Sequence, residues 1–78
     1  MVELTLSYYG PLRVLEGHAL QMRNGSTVAD AKAELMRRFP AQRELLRVSA
    51  FGDDREVLRD DSPLRTGAYS VLPPVSGG

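Results

Sequence analysis

Apolar and polar residues alternate from the start of the chain. Val2, Leu4, Leu6 and Tyr8 fall two apart with Glu3, Thr5 and Ser7 between them, the period of a strand with one face on a core and the other in water. Gly10-Pro11 ends that run. Alternation returns over Ala19–Arg23, with Leu20 and Met22 inward, and Asn24-Gly25 closes it with residues that tolerate positive φ. The two strands read as antiparallel neighbours, although Pro11 to His18 is more chain than a tight hairpin needs. A helical period follows. Val28, Ala31, Leu35 and Phe39 form one apolar stripe behind Thr27, an N-cap residue with Asp30 three positions on, where a capping box places its acid. Pro40 disfavours helix at the residue before it, so this helix should end at or just before Phe39.

Leu46–Phe51 predicts a third strand, Gly52-Asp53-Asp54 a turn, and Glu56–Leu58 a short fourth strand. The last strand is Ala68–Leu72, with Tyr69 and Val71 on one face and Ser70 on the other. The order β-β-α-β-β-β places a helix between strands two and three, the usual way to cross back over a sheet. The expected class is α+β, a β-grasp layout in which one main helix packs on one face of a mixed four- to five-stranded sheet. The other sheet face is left for a partner.

Composition narrows the function. Seventy-eight residues, 42% of them hydrophobic, make one small domain over residues 1–72 with a tail at 73–78, and leave little room for a large catalytic cleft. Ten Lys+Arg balance ten Asp+Glu, which removes the electrostatic footprint expected of nucleic-acid or anionic-membrane binding. The absence of Cys rules out disulfides, thiolate metal sites and cysteine nucleophiles and suits a reducing cytosol. The first residues alternate too regularly for a signal peptide and no long apolar run occurs, so a cytoplasmic location is expected. Nine of the ten basic residues are arginine and Lys32 is the only lysine, a bias that base composition or a warm habitat explains as readily as function.

Catalytic constellations are hard to assemble from these residues. His18 is the single histidine and sits in a loop, without a second His or any Cys to complete a metal site or triad. Asp53-Asp54 and Asp60-Asp61 adjoin Gly, Ser or Pro, where Asp side chains close turns rather than bind cations. Lys32 has no glycine run upstream, so there is no phosphate-cradling loop. Tyr8, Phe39 and Tyr69 fall on core-facing positions and no basic patch accompanies the aromatics. The expectation is a chain that is not itself an enzyme and holds neither a metal nor a bound cofactor.

The tail is different. Leu72-Pro73-Pro74-Val75-Ser76-Gly77-Gly78 follows directly on the last strand. Two prolines cannot continue a ladder and favour a stiff, extended path, while Gly77 and Gly78 leave no side chain beside the α-carboxylate. The six residues beyond Leu72 can span at most about 20 Å, enough for a narrow peg to enter a buried site while the sheet docks outside.

With that tail on a β-grasp pattern, the sequence resembles the ubiquitin-like sulfur carriers, most closely the MoaD-type small subunit of molybdopterin synthase. Supporting the tail are Gly25-Ser26-Thr27-Val28 at the helix start, Ser62-Pro63-Leu64 with Gly67 before the last strand, and Tyr9 with Leu12-Arg13 after the first. The carrier ThiS of the thiazole pathway shares the fold and Gly-Gly, but the Pro-Pro-Val-Ser run is similar to the molybdopterin branch. Arg13 to Met22 is shorter than the family pattern, which leaves room for a displaced second strand or loss of a leading helical turn. The residues Gly67-Ala68-Tyr69-Ser70 and Phe51-Gly52-Asp53-Asp54 also depart from that pattern.

The resemblance implies that Gly78 is adenylated by a ubiquitin-activating-like enzyme of the MoeB type, which uses ATP, and becomes a thiocarboxylate with sulfur arriving indirectly from a sulfur-donating enzyme. The large catalytic subunit of molybdopterin synthase would then receive the tail. Gly77, Ser76, Val75, Pro74, Pro73 and Leu72, with Leu58, are the expected partner-binding residues, Leu58, Leu72 and Val75 serving as apolar anchors. Other readings stay open: a carrier for thiazole, tRNA thiolation or cysteine, a ubiquitin-like modifier joined to lysines of target proteins, or a non-covalent β-grasp interaction module.

Overall fold

A computed structural model describes residues 1–74. The chain runs through β1 (Val2–Tyr8), a 3-10 turn (Gly10–Leu15), β2 (Leu20–Met22), α1 (Val28–Arg38), a 3-10 turn (Pro40–Gln42), α2 (Arg43–Arg47), β3 (Ala50–Gly52), β4 (Val57–Leu58) and β5 (Gly67–Leu72). The five strands form one mixed sheet in the order β2-β1-β5-β3-β4, with β1 and β5 parallel and every other neighbouring pair antiparallel.

The β1 alternation does what it predicts, since Leu4, Leu6 and Tyr8 are buried while Glu3, Thr5 and Ser7 are exposed. Their row continues across the sheet through Tyr69 and Val71 of β5, opposite Leu6 and Tyr8, and through Phe51 of β3, opposite Val71. Helix α1 closes that face with Val28, Ala31 and Leu35, all fully buried. Its capping box is complete: Asp30 N–H donates to Thr27 Oγ1 at 3.3 Å and Thr27 N–H to the Asp30 carboxylate at 2.9 Å. Two further N–H groups of the first turn, on Val28 and Ala29, donate to the carbonyls of Ser62 and Asp60, so the segment before β5 satisfies donors that no helix can satisfy for itself. Phe39 sits at the C-cap, as Pro40 requires, but is only half-buried, its ring edge against His18 with centroids 4.8 Å apart.

One sequence expectation is corrected. Leu46 and Arg47 belong to α2 and not to the third strand, which begins at Ala50. A short continuous apolar run has no period to separate strand from helix; here Leu46 is buried from the helix, and Ser49 Oγ donates to the Leu45 carbonyl at 2.7 Å as the helix ends. The long connection between β1 and β2 is filled by a 3-10 turn whose Leu12 and Leu15, three apart, both enter the core. Tyr8 ties this connection down, its hydroxyl donating to the His18 carbonyl at 2.7 Å, and burial pushes that phenol up to about 12.

Candidate functional site

The tail leaves from the middle of the sheet. Strand β5 is bonded on both sides, to β1 through Leu4↔Gly67 to Tyr8↔Val71 and to β3 through Ala50↔Leu72 to Gly52↔Ser70. Its approach is fixed as well, because the Tyr69 hydroxyl both accepts from the Arg65 N–H and donates to the Arg65 carbonyl, each at 3.0 Å. A chain leaving a doubly paired strand has its direction set by the sheet and not by a loop.

Leu72 and Pro73 are half-buried and Pro74 is exposed. Each of the first two rests over a glycine, Leu72 over Gly52 at the end of β3 and Pro73 over Gly10 at the start of the 3-10 turn that follows β1. A Cβ at Gly52 would meet Leu72 Cδ1 at 3.4 Å and the Glu56 carbonyl oxygen at 3.3 Å, and a Cβ at Gly10 would meet Pro73 Cγ at 3.4 Å. Gly10 also has φ +57°, a conformation that a side chain makes costly. The root of the tail thus lies in a seat whose two contact points have no side chains. The sequence pattern reads Gly10-Pro11 as a strand end and Gly52 as the start of a turn; the seat arises from the pairing of β5 with β1 on one side and with β3 on the other, which local pattern does not encode.

Leu58 and Leu72 lie on opposite faces of the sheet. Leu58 pairs with Phe51 and packs half-buried on the core, whereas Leu72 pairs with Ala50 on the open face, next to the Gly52↔Val57 pair. That face is polar along β1, with Glu3, Thr5 and Ser7 exposed, and turns apolar beside the tail, where Val57 is 61% exposed. Tyr9, extended and 48% exposed, lies beyond the end of β1, at a solvent-open groove lined also by Ser7, Gly10, Arg13 and Glu16. Val75, Ser76, Gly77 and Gly78 lie outside the described residues.

The acidic pairs serve the fold. Asp53 Oδ1 accepts from the N–H groups of Arg55 and Glu56 at 2.8 and 2.9 Å, and these bonds hold its carboxyl below the usual range. Asp60 pairs with Lys32 at 3.1 Å and Asp61 with Arg59 at 3.5 Å. On α1, hydrogen bonds from Arg37 and then Arg38 lower the Glu34 carboxyl to about 2. Among the described residues no group of three or more His, Asp or Glu is placed to hold a metal ion, and no helix is long and apolar enough to cross a membrane.

No protein-family model and no curated protein matches the sequence. Solved structures do. A Pyrococcus furiosus protein assigned as molybdopterin converting factor subunit 1 superposes with a TM-score of 0.80 at 21% identity, covering 96% of this chain and 100% of that one. Small archaeal modifier protein 1 from Haloferax volcanii gives 0.76 at 18% identity over 96% and 100%. The complex of subunits 1 and 2 of molybdopterin-converting factor from Helicobacter pylori contains a chain with a TM-score of 0.63 at 22% identity over 99% and 100%. The mixed sheet with β1 and β5 parallel at its centre and the helix on one face are therefore the β-grasp, ubiquitin-like fold of these small converting-factor subunits and modifiers.

Proposed function

We propose that this chain is a sulfur carrier activated at a Gly78 carboxylate, and the non-catalytic small subunit of a molybdopterin synthase. The observation that carries the reading is the tail root: a central, doubly paired strand delivers Leu72-Pro73-Pro74 from a glycine seat toward Val75-Ser76-Gly77-Gly78, with an apolar strip at its base. Such a base lets a partner grip the domain at Leu72 and Val57 while the side-chain-poor end enters a confined site. Gly77 and Gly78 suit a narrow channel, Pro73 and Pro74 keep the peg extended, and Ser76 and Val75 lie between them to contact its wall.

Two activation steps and a delivery follow from this chemistry. A Gly78 carboxylate oxygen attacks the α-phosphorus of ATP on an adenylating enzyme, pyrophosphate leaves, and an acyl-adenylate forms. Sulfur at the sulfide level then attacks the acyl carbon, the bond to AMP breaks, and the thiocarboxylate forms. In the large subunit the thiocarboxylate sulfur forms a C–S bond to the pterin precursor as an oxygen leaving group departs there, and water cleaves the acyl–sulfur bond, leaving sulfur on the pterin and regenerating the carboxylate. The carrier supplies no acid or base to these steps; it supplies placement. The test is the intact mass after incubation with ATP, a sulfide donor and an adenylating enzyme. Replacement of one oxygen by sulfur at Gly78 supports the carrier, while an unchanged mass with an enzyme shown active on another carrier overturns it.

The likeness to small archaeal modifier protein 1 favours a second reading, conjugation of the same activated Gly78 to other proteins. Isopeptide-linked products in a cell extract distinguish it. A carrier or modifier loses all function when Gly77 and Gly78 are deleted, and a non-covalent module does not.

A further inference from the structure

The distribution of amines on this chain has a chemical logic that rests on the activated-Gly78 reading. An acyl-adenylate or a thioester is an acyl donor, and the side chain best able to capture it is an unprotonated lysine amine. Arginine cannot, because its guanidinium stays protonated. The sequence carries nine arginines and a single lysine, Lys32. The arginines are on the surface: the side chains of Arg37, Arg38, Arg47 and Arg59 are 71%, 41%, 61% and 85% exposed. Lys32, on α1, is 13% exposed with its Nζ 3.1 Å from Asp60 Oδ1. Asp60 is held there by the fold, since its carbonyl accepts the Ala29 N–H at 2.9 Å. Charge on this surface is therefore supplied by groups that cannot be acylated, and the one lysine is mostly buried along its side chain with its amine engaged by the Asp60 carboxylate, itself 69% exposed.

We infer that the chain is built as an acyl donor that is a poor acceptor of its own activated form, Lys32 being shielded by packing and by Asp60, so that activated copies are not consumed by linking to one another. In the linking step that this arrangement suppresses, the lysine loses a proton to solvent and its nitrogen attacks the Gly78 acyl carbon. A C–N bond forms, the bond to the leaving group breaks, and AMP or a thiolate departs. As a modifier, the protein would accordingly be attached as single units and not as chains through Lys32.

The test uses the full chain with the Met1 amine acetylated and a mercaptoethanesulfonate thioester installed chemically at Gly78, incubated in mildly alkaline buffer and followed by intact mass and peptide mapping. Wild type should hydrolyse to the acid with little Lys32-linked dimer. Arg37→Lys puts an amine on the same helix, still beside Glu34 but exposed, and should raise the dimer several-fold through position 37. Asp60→Ala should raise the Lys32-linked dimer several-fold as well. Wild type that dimerises through Lys32 as readily as the Arg37→Lys protein does through its new amine, or an Arg37→Lys protein that dimerises no more than wild type, overturns the inference. An unchanged Lys32-linked dimer in Asp60→Ala overturns the role given to Asp60. Because the thioester is installed chemically, these results do not depend on any adenylating enzyme, so failure of the carrier reading shows separately, in the sulfur-transfer mass assay.

Discussion

The two sides of the sheet are built differently. On one side β1 and β5 share five register pairs, from Leu4↔Gly67 to Tyr8↔Val71, and bury a row of large side chains beneath α1. On the other, β3 and β4 share two pairs, Phe51↔Leu58 and Gly52↔Val57, and β4 has no second neighbour. The first side is held many times over. The second hangs on Phe51, fully buried in the same core cluster as Leu46, while Val57 and Val48 remain exposed. Strand β5 belongs to both sides, which is why the tail root can be rigid although one of its flanks is thin.

The largest effect that would break this comparison is at Phe51. Phe51→Ala should cost about 3–5 kcal/mol in urea unfolding, whereas Val57→Ala, on the same thin flank but 61% exposed, should stay within about 0.5 kcal/mol. Equal losses would mean that the flank is not anchored from beneath. Next comes Gly10→Ala, which forces a side chain to φ +57° and should cost about 1–2 kcal/mol through the backbone alone, its Cβ meeting Pro73 Cγ at van der Waals distance. Nuclear Overhauser contacts between residue 10 and the Pro73 ring should therefore persist while the urea midpoint falls. On the well-held side, Thr27→Ala removes one half of the capping box and should cost about 1 kcal/mol with an unchanged urea slope.

The smallest effect is electrostatic. Glu34 is drawn from 4.5 to about 2 by Arg37 and Arg38. A carboxyl with a depressed folded pKa contributes stability that is present above the unfolded value and lost as pH falls through the folded one. Unfolding midpoints should therefore decline as pH drops from 4.5 toward 2, and Glu34→Gln should flatten part of that decline. The decline should shrink in high salt, because the pair lies at the surface with Arg37 71% exposed. Amide exchange sharpens the comparison further: β3 and β4 should open before β1 and β5.

Legibility in the sequence follows the same division. The strand of seven residues at β1 and the capped helix at α1 each repeat a pattern long enough to carry its own period, and both were readable with their buried faces. The last strand was readable from Tyr69 and Val71. Between Pro40 and Gly52 the elements last three to five residues, too short for any period, and Leu45-Leu46 satisfied a strand as well as the helix they adopt. At the tail, composition alone marked Pro73-Pro74 and Gly77-Gly78. The seat under Leu72 and Pro73 was hidden because it joins residues distant in sequence, Gly10 with Pro73 and Gly52 with Leu72, pairings fixed by sheet order and not by neighbours along the chain.

The parallel pairing of β1 with β5 also sets a timetable. The first strand cannot find its partner until the chain has been made as far as Leu72, and even the Glu3 N–H waits for the Thr66 hydroxyl, 63 residues on. Fragments released early lack the central pair and should remain unfolded, open to proteolysis. The strand that completes the domain is the one that presents the tail. Synthesis thus orders the two events: the tail root cannot be presented from a seat that has not yet closed.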